Sequence, residues 1–116
     1  MNATISVRST NGVTLALHDL GGDGPPLLMC HATGFHGRAY LAFARHLADA
    51  FHVWAVDFRG HGDSTIAENG EFTWSGMGED VLAAAETIAG PSGSLRAVGH
   101  SMGGAAILLA ELARPG

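Results

Sequence analysis

The chain contains no lysine: its basic residues, six in all, are arginines. That removes Schiff-base chemistry and the phosphate-loop lysine, and with them whole classes of enzyme. Cysteine occurs once, as Cys30, so no intramolecular disulfide can form and nothing argues for an oxidising compartment. Charge is sparse at 15%, and a net charge of −5 leaves no basic footprint for nucleic acid. Residues 1–12 hold no hydrophobic stretch like a signal peptide. The longest apolar run, Ala105 to Ala110, is far too short to span a bilayer. A cytoplasmic protein is therefore expected, with no nucleic-acid and no membrane partner. There are no internal repeats and no low-complexity tracts. No His, Cys, Asp and Glu spacing reads as a metal site, and no G-x-G-x-x-G follows a strand, so no cofactor is expected.

What is present is a hydrophobic fraction of 47% in 116 residues, enough for one domain with a modest core. Ala3, Ile5 and Val7 alternate with polar residues, as do Val13, Leu15 and Leu17 after Asn11-Gly12, which predicts an antiparallel hairpin with one dry face. Pro26 to Cys30 is a continuous apolar run of the kind buried on both faces of a parallel sheet. Apolar residues at helical spacing predict a crossover helix over 38–49, and Phe51 to Val56 reads as the next strand. After a long loop from Phe58 to Trp74, Met77, Val81, Ala84, Ala85 and Ile88 share one helical face, and Gly90-Pro91 stops that helix. Leu95 to Val98 is the last strand and Met102 to Arg114 the last helix.

The junction between those two elements carries the chemistry. Gly99-His100-Ser101-Met102-Gly103 fits G-x-S-x-G, in which the serine sits on a sharp turn with its hydroxyl lifted clear of the sheet. Glycine is needed at Gly99 and Gly103 because a side chain would strike the neighbouring backbone where strand and helix nearly touch. The Met102 N–H lies at the start of a helix, where unpaired donors and the helix dipole favour an anion.

Through this elbow the sequence resembles the α/β-hydrolase family. Two further segments carry the resemblance. Cys30-His31-Ala32-Thr33-Gly34-Phe35 resembles the family's histidine-led oxyanion loop, and Asp57-Phe58-Arg59-Gly60-His61-Gly62-Asp63-Ser64 its D-x-R-G-H-G-x-S turn. The resemblance implies a three-layer α/β sandwich with a mostly parallel sheet in the order first, second, fourth, third, fifth strand. Residues 1–116 would form a partial domain holding the first five strands, the oxyanion loop, the nucleophile elbow and the following helix, with the late strands and the cap missing. The nucleophile strand would then be an edge that Leu95, Ala97 and Val98 do not blunt, and self-association through it is expected.

By the same resemblance Ser101 is the nucleophile, and the backbone amides of Thr33 and Met102 form the oxyanion hole. The family commonly has glycine where this chain has Ala32. The family's acid and histidine follow the serine, but beyond Ser101 this chain has Glu111 as its only carboxylate side chain and no histidine. None of the seven histidines occupies the family's catalytic position. His100 is expected to pack away from the hydroxyl, and His18, His46 and His52 to be surface or satisfied core residues. His36 lies in a loop near the expected pocket, within reach of lining it. His31 is expected to anchor its loop by hydrogen bonding and His61 to be architectural. Asp57 and Arg59 are expected to bond backbone groups and each other.

The function implied is a serine hydrolase acting on a small ester or thioester through an acyl-enzyme, inactive or weak as this chain. A serine at 101 argues against the dehalogenase and epoxide-hydrolase branches. The alternatives are a non-catalytic fragment or interaction module, and a same-fold lyase or cofactor-free peroxidase.

Overall fold

Asn-Gly between two alternating runs favours a turn with positive φ at both central residues, because that turn shares the twist of the strands it joins. In the computed structural model, which describes residues 3–90 and 93–116, β1 (Thr4–Arg8) and β2 (Thr14–Gly21) are joined in this way. Asn11 and Gly12 have φ of 54° and 74°, and the Val13 amide donates to the Thr10 carbonyl at 3.1 Å. The expectation of one dry face holds poorly for β2, where Leu15 to His18 are buried in succession. Helices cover both faces of that strand, so alternation in sequence does not become alternation in burial.

The remaining strands are β3 (Pro26–Cys30), β4 (His52–Val56) and β5 (Arg96–Gly99), and the sheet runs β1-β2-β4-β3-β5. β2 is antiparallel to both of its neighbours, whereas β3 pairs parallel with β4 and β5. Four of the five strands therefore point the same way. The crossover helix predicted over 38–49 is shorter than its pattern: a 3₁₀ turn at Gly37–Tyr40 leads into α1 at Leu41–Leu47. Gly37 is held by a hydrogen bond from its amide to Asp57 Oδ1 at 2.6 Å, which ties the start of this segment to the end of β4.

α2 (Trp74–Ala89) opens where the Thr73 hydroxyl caps the Gly76 amide at 3.0 Å. It closes at Gly90, whose φ of 84° suits glycine; Pro91, the other half of the predicted stop, lies outside the described residues. α3 spans Met102–Ala113. The sheet separates two apolar clusters, so the three-layer expectation holds. Leu15, Leu17, Leu28, Cys30, Val56 and Phe58 meet α2 and α3 on one side, and Leu27, Met29, Val53 and Ala55 meet α1 on the other. The alternation along β3 sends Leu28 and Cys30 to the first cluster and Leu27 and Met29 to the second.

Among the described residues β5 pairs only with β3, and its outer edge is open. Ala97 is exposed on it, and on the adjoining α3 Leu108 and Leu112 are 67% and 80% exposed. An open strand edge beside apolar helix surface is a template for another chain. We expect sedimentation velocity to show an average mass that rises with concentration. Ala97→Lys combined with Leu112→Glu should return it to that of one chain, and a single-chain mass at every concentration would count against pairing.

Candidate active site

The end of β5 and the start of α3 approach so closely that side chains are excluded. A Cβ on Gly99 would stand 2.3 Å from the Gly104 nitrogen, and one on Gly103 would stand 2.1 Å from the Cys30 carbonyl oxygen. Both distances are far inside van der Waals contact, as the sequence reading of these two glycines anticipated. The His100 amide donates to the Cys30 carbonyl at 3.0 Å, and the Gly104 and Ala105 amides both donate to the Ser101 carbonyl. Pinned on either side, Ser101 takes φ 56° and ψ −110°. A residue with a Cβ is strained there, at a cost of about 1–3 kcal/mol. Ser101 is exposed, and its hydroxyl has no hydrogen-bond partner among the described residues.

The loop after β3 is the second wall. The Phe58 amide donates to His31 Nε2 at 3.0 Å, so the ring proton sits on Nδ1 and is given to the Ala32 carbonyl at 2.7 Å. His31 is fully buried, and burial holds its pKa below the ordinary 6.5. It anchors its loop as a neutral ring. Phe35 closes a turn by donating to the Ala32 carbonyl at 3.0 Å, with Gly34 at φ 80°. Ala32 has no positive φ and its methyl is buried, so alanine is accommodated where the family commonly has glycine. The Ala32 amide donates to the Tyr40 hydroxyl at 3.2 Å. Neither the Thr33 amide nor the Met102 amide has an acceptor among the described residues.

Beneath the loop, Asp57 accepts from the Gly37 amide at 2.6 Å, the Asp63 amide at 2.9 Å and the His18 ring at 2.8 Å. Burial alone would raise its pKa, but the two amides and His18 more than offset this and hold it low. The expected bond between Asp57 and Arg59 does not form. Arg59 turns instead to α2, where its guanidinium meets the buried Asp80 carboxylate at 2.8 Å, and to Glu71 in the loop before that helix at 2.7 Å. Asp57 is already saturated by two amides and an imidazole, whereas a buried Asp80 without a cation would be costly.

The other histidines fall into place around this frame. His18 is a satisfied core residue, bonded to Asp57 and to the Thr4 hydroxyl at 2.8 Å. His52 binds Asp19 at 2.7 Å, and His46 and His36 are exposed. His61 donates to the Arg59 carbonyl at 3.0 Å with its ring between His31 and Phe72. His100 is bonded to Tyr40, whose hydroxyl lies 2.8 Å from Nδ1. No histidine bonds the Ser101 hydroxyl among the described residues. The fold also gathers His18, Asp57 and Asp63 with donor atoms within 4.8 Å of one another, a grouping no sequence spacing reveals. The hydrogen bonds already on His18 and Asp57 occupy the atoms a cation would need.

The profile of the family described as "Alpha/beta hydrolase family" matches residues 27–115, which takes in the loop after β3, the turn after β4 and the elbow. This chain belongs to the alpha/beta hydrolase family. The chain is 35% identical over 88 residues to a probable protein phosphatase methylesterase 1 of Caenorhabditis elegans, a match that spans 73% of this chain and 24% of that protein. It is 28% identical over 101 residues to protein phosphatase methylesterase 1 of Bos taurus, spanning 84% of this chain and 27% of that protein. Its fold is similar to an epoxide hydrolase from Solanum tuberosum, with a TM-score of 0.85 at 27% identity over 99% of this chain and 37% of that one. An alpha/beta hydrolase from Sphaerobacter thermophilus gives a TM-score of 0.81 at 27% identity over 96% of this chain and 41% of that one. The chain thus spans about a quarter of the length of the curated relatives it matches. No helix among the described residues is long and apolar enough to cross a membrane.

Tyr40 is the site residue that sequence reasoning missed, because helical spacing presents it only as a core position. Two outcomes follow from the geometry. Gly103→Ala must drive a methyl into the Cys30 carbonyl, and urea unfolding should show a loss of about 3 kcal/mol. His31, whose folded pKa lies below that of the unfolded chain, stabilises fully above pH 6.5 and loses its contribution as pH falls below that value. Thermal melts should decline as pH falls below 6.5, and His31→Gln should flatten that slope.

Proposed function

We propose that this hydrolase cleaves carboxylic esters or thioesters through an acyl-enzyme on Ser101, with the amides of Thr33 and Met102 holding the oxyanion. The observation that carries the reading is the strained, exposed Ser101 at the N-terminus of α3, with an unclaimed amide immediately after it. Its Oγ attacks the carbonyl carbon, the carbonyl π electrons move onto oxygen, and both amides meet the charge that develops there. Collapse of that intermediate expels the alcohol or thiol, and water then releases the acid. Serine in place of a carboxylate at the elbow favours an acyl intermediate over the alkyl intermediate of carboxylate nucleophiles. The methylesterase names of the relatives support an ester substrate.

A serine hydroxyl needs a base to take its proton. Within these residues no histidine reaches Ser101, so acylation by this chain proceeds by transfer of that proton to solvent or buffer. Oxyanion donors and binding alone retain about 10³–10⁴-fold catalysis over water when triad members are removed. The open β5 edge favours a second reading, an interaction module without catalysis.

A fluorophosphonate probe separates the two. Intact mass should show one adduct per chain, mapped to Ser101 and lost in Ser101→Ala. Free imidazole, supplied as an external base, should accelerate adduct formation by about tenfold or more. A folded chain that stays unlabelled with and without imidazole would favour the interaction module.

A further inference from the structure

We propose that Tyr40 is a positioning residue that sets the spacing of the two oxyanion donors by joining the turns that carry them; this rests on the acyl-transfer reading of Ser101. A single phenolic oxygen is the meeting point. It accepts from the Ala32 amide at 3.2 Å and lies 2.8 Å from His100 Nδ1. Ala32 immediately precedes Thr33, and His100 immediately precedes Ser101. Phe35 crosses the same gap, with its ring 5.7 Å from that of His100 in an edge contact and 6.2 Å from that of Tyr40.

The proton inventory follows from these partners. The phenol accepts from Ala32, and in the proposed bridge its own hydrogen goes to His100 Nδ1, an arrangement that places the imidazole proton on Nε2. One consequence concerns His100, the histidine adjacent to the nucleophile in sequence: its Nδ1 lone pair is occupied by Tyr40 and cannot serve Ser101. The other concerns the loop. Of its two successive amides, Ala32 is claimed by the phenol and Thr33 is left open, so the bridge selects which amide faces the reaction. Oxyanion donors act only within about 2.7–3.1 Å of the charged oxygen. Loosening the bridge therefore weakens the transition state more than the bound ester.

The test uses p-nitrophenyl acetate with a fixed imidazole concentration, alongside the fluorophosphonate probe. Tyr40→Phe deletes only the bridging oxygen. It should lower the saturating acylation rate about tenfold, the order set by losing the oxygen's two hydrogen bonds to the frame, with the half-saturation concentration unchanged. His100→Leu should produce a comparable loss, and Tyr40→Phe added to it should cost little more. His100→Gln, which retains an acceptor oxygen, should recover part of the rate. Nitrogen NMR should show His100 protonated on Nε2 in the parent chain and a mixture of tautomers in Tyr40→Phe. Folded Tyr40→Phe with an unaltered acylation rate would overturn the proposal, as would independent, fully additive losses in the double variant. Should Tyr40→Phe fail to fold, His100→Leu on the exposed turn decides the matter: an unchanged rate there refutes the bridge. Absence of any Ser101 adduct in the parent chain would overturn the acyl-transfer reading and this inference with it, whereas labelling without Tyr40 dependence overturns the inference alone.

Discussion

Three backbone segments meet with no room between them: the last residue of β5, the first turn of α3 and the end of β3. Side chains at Gly99 and Gly103 are excluded by backbone atoms of Gly104 and Cys30, and everything else about the elbow follows from that exclusion. The chain can reverse from strand to helix in so short a distance only if Ser101 enters the left-handed region. Its neighbours hold it there through hydrogen bonds to its carbonyl and to the Cys30 carbonyl. Strain of this kind persists where the surroundings over-determine the conformation. Here it puts a hydroxyl in the open at the positive end of a helix.

A second layer of the structure keeps the facing loop in place, and it is built almost wholly from buried polar groups. His31 joins the loop after β3 to Phe58, Asp57 joins its far end at Gly37 to Asp63 and β2, and Arg59 fastens the next stretch to Asp80 on α2. Burial of such groups is unfavourable unless each finds partners. Among the described residues no buried side-chain nitrogen or oxygen lacks one. Arg59 meets Asp80 through both Nε and Nη2 and also reaches the Thr10 hydroxyl at 2.9 Å. Removing one partner of such a pair costs about 3–5 kcal/mol, because the other charge stays buried. The network therefore makes the loop's position all-or-none rather than adjustable.

Cys30 illustrates how position decides chemistry. It lies at the end of β3, next to His31, and its carbonyl receives the His100 amide. Yet its thiol is sealed in the α2 and α3 side of the core, where burial pushes its pKa up to about 12. It has no thiolate to offer, and adjacent residues on a strand face opposite ways. The hydroxyl in the open nearby is that of Ser101, which the strained turn exposes.

Local pattern was sufficient for the elements themselves. Alternation, apolar runs, Asn11-Gly12 and the spaced glycines around Ser101 each encode a conformation within a few residues, so the strands, the hairpin turn and the elbow were all readable, as was the order of strands once the three motifs were recognised. Burial of both faces of β2, the shortened α1, the choice of Asp80 rather than Asp57 as the partner of Arg59, and the Tyr40 bridge were not readable. The last joins residues 60 positions apart. Such contacts have no period and no local signature, because they depend on which strand ends the sheet order brings together. Sequence by itself determined that a serine would stand on a sharp turn. Only the packing of β3 against β5 decided which side chains surround that turn, since a hydrogen bond acts over about 3 Å and the chain that must supply its two ends is folded by the whole core.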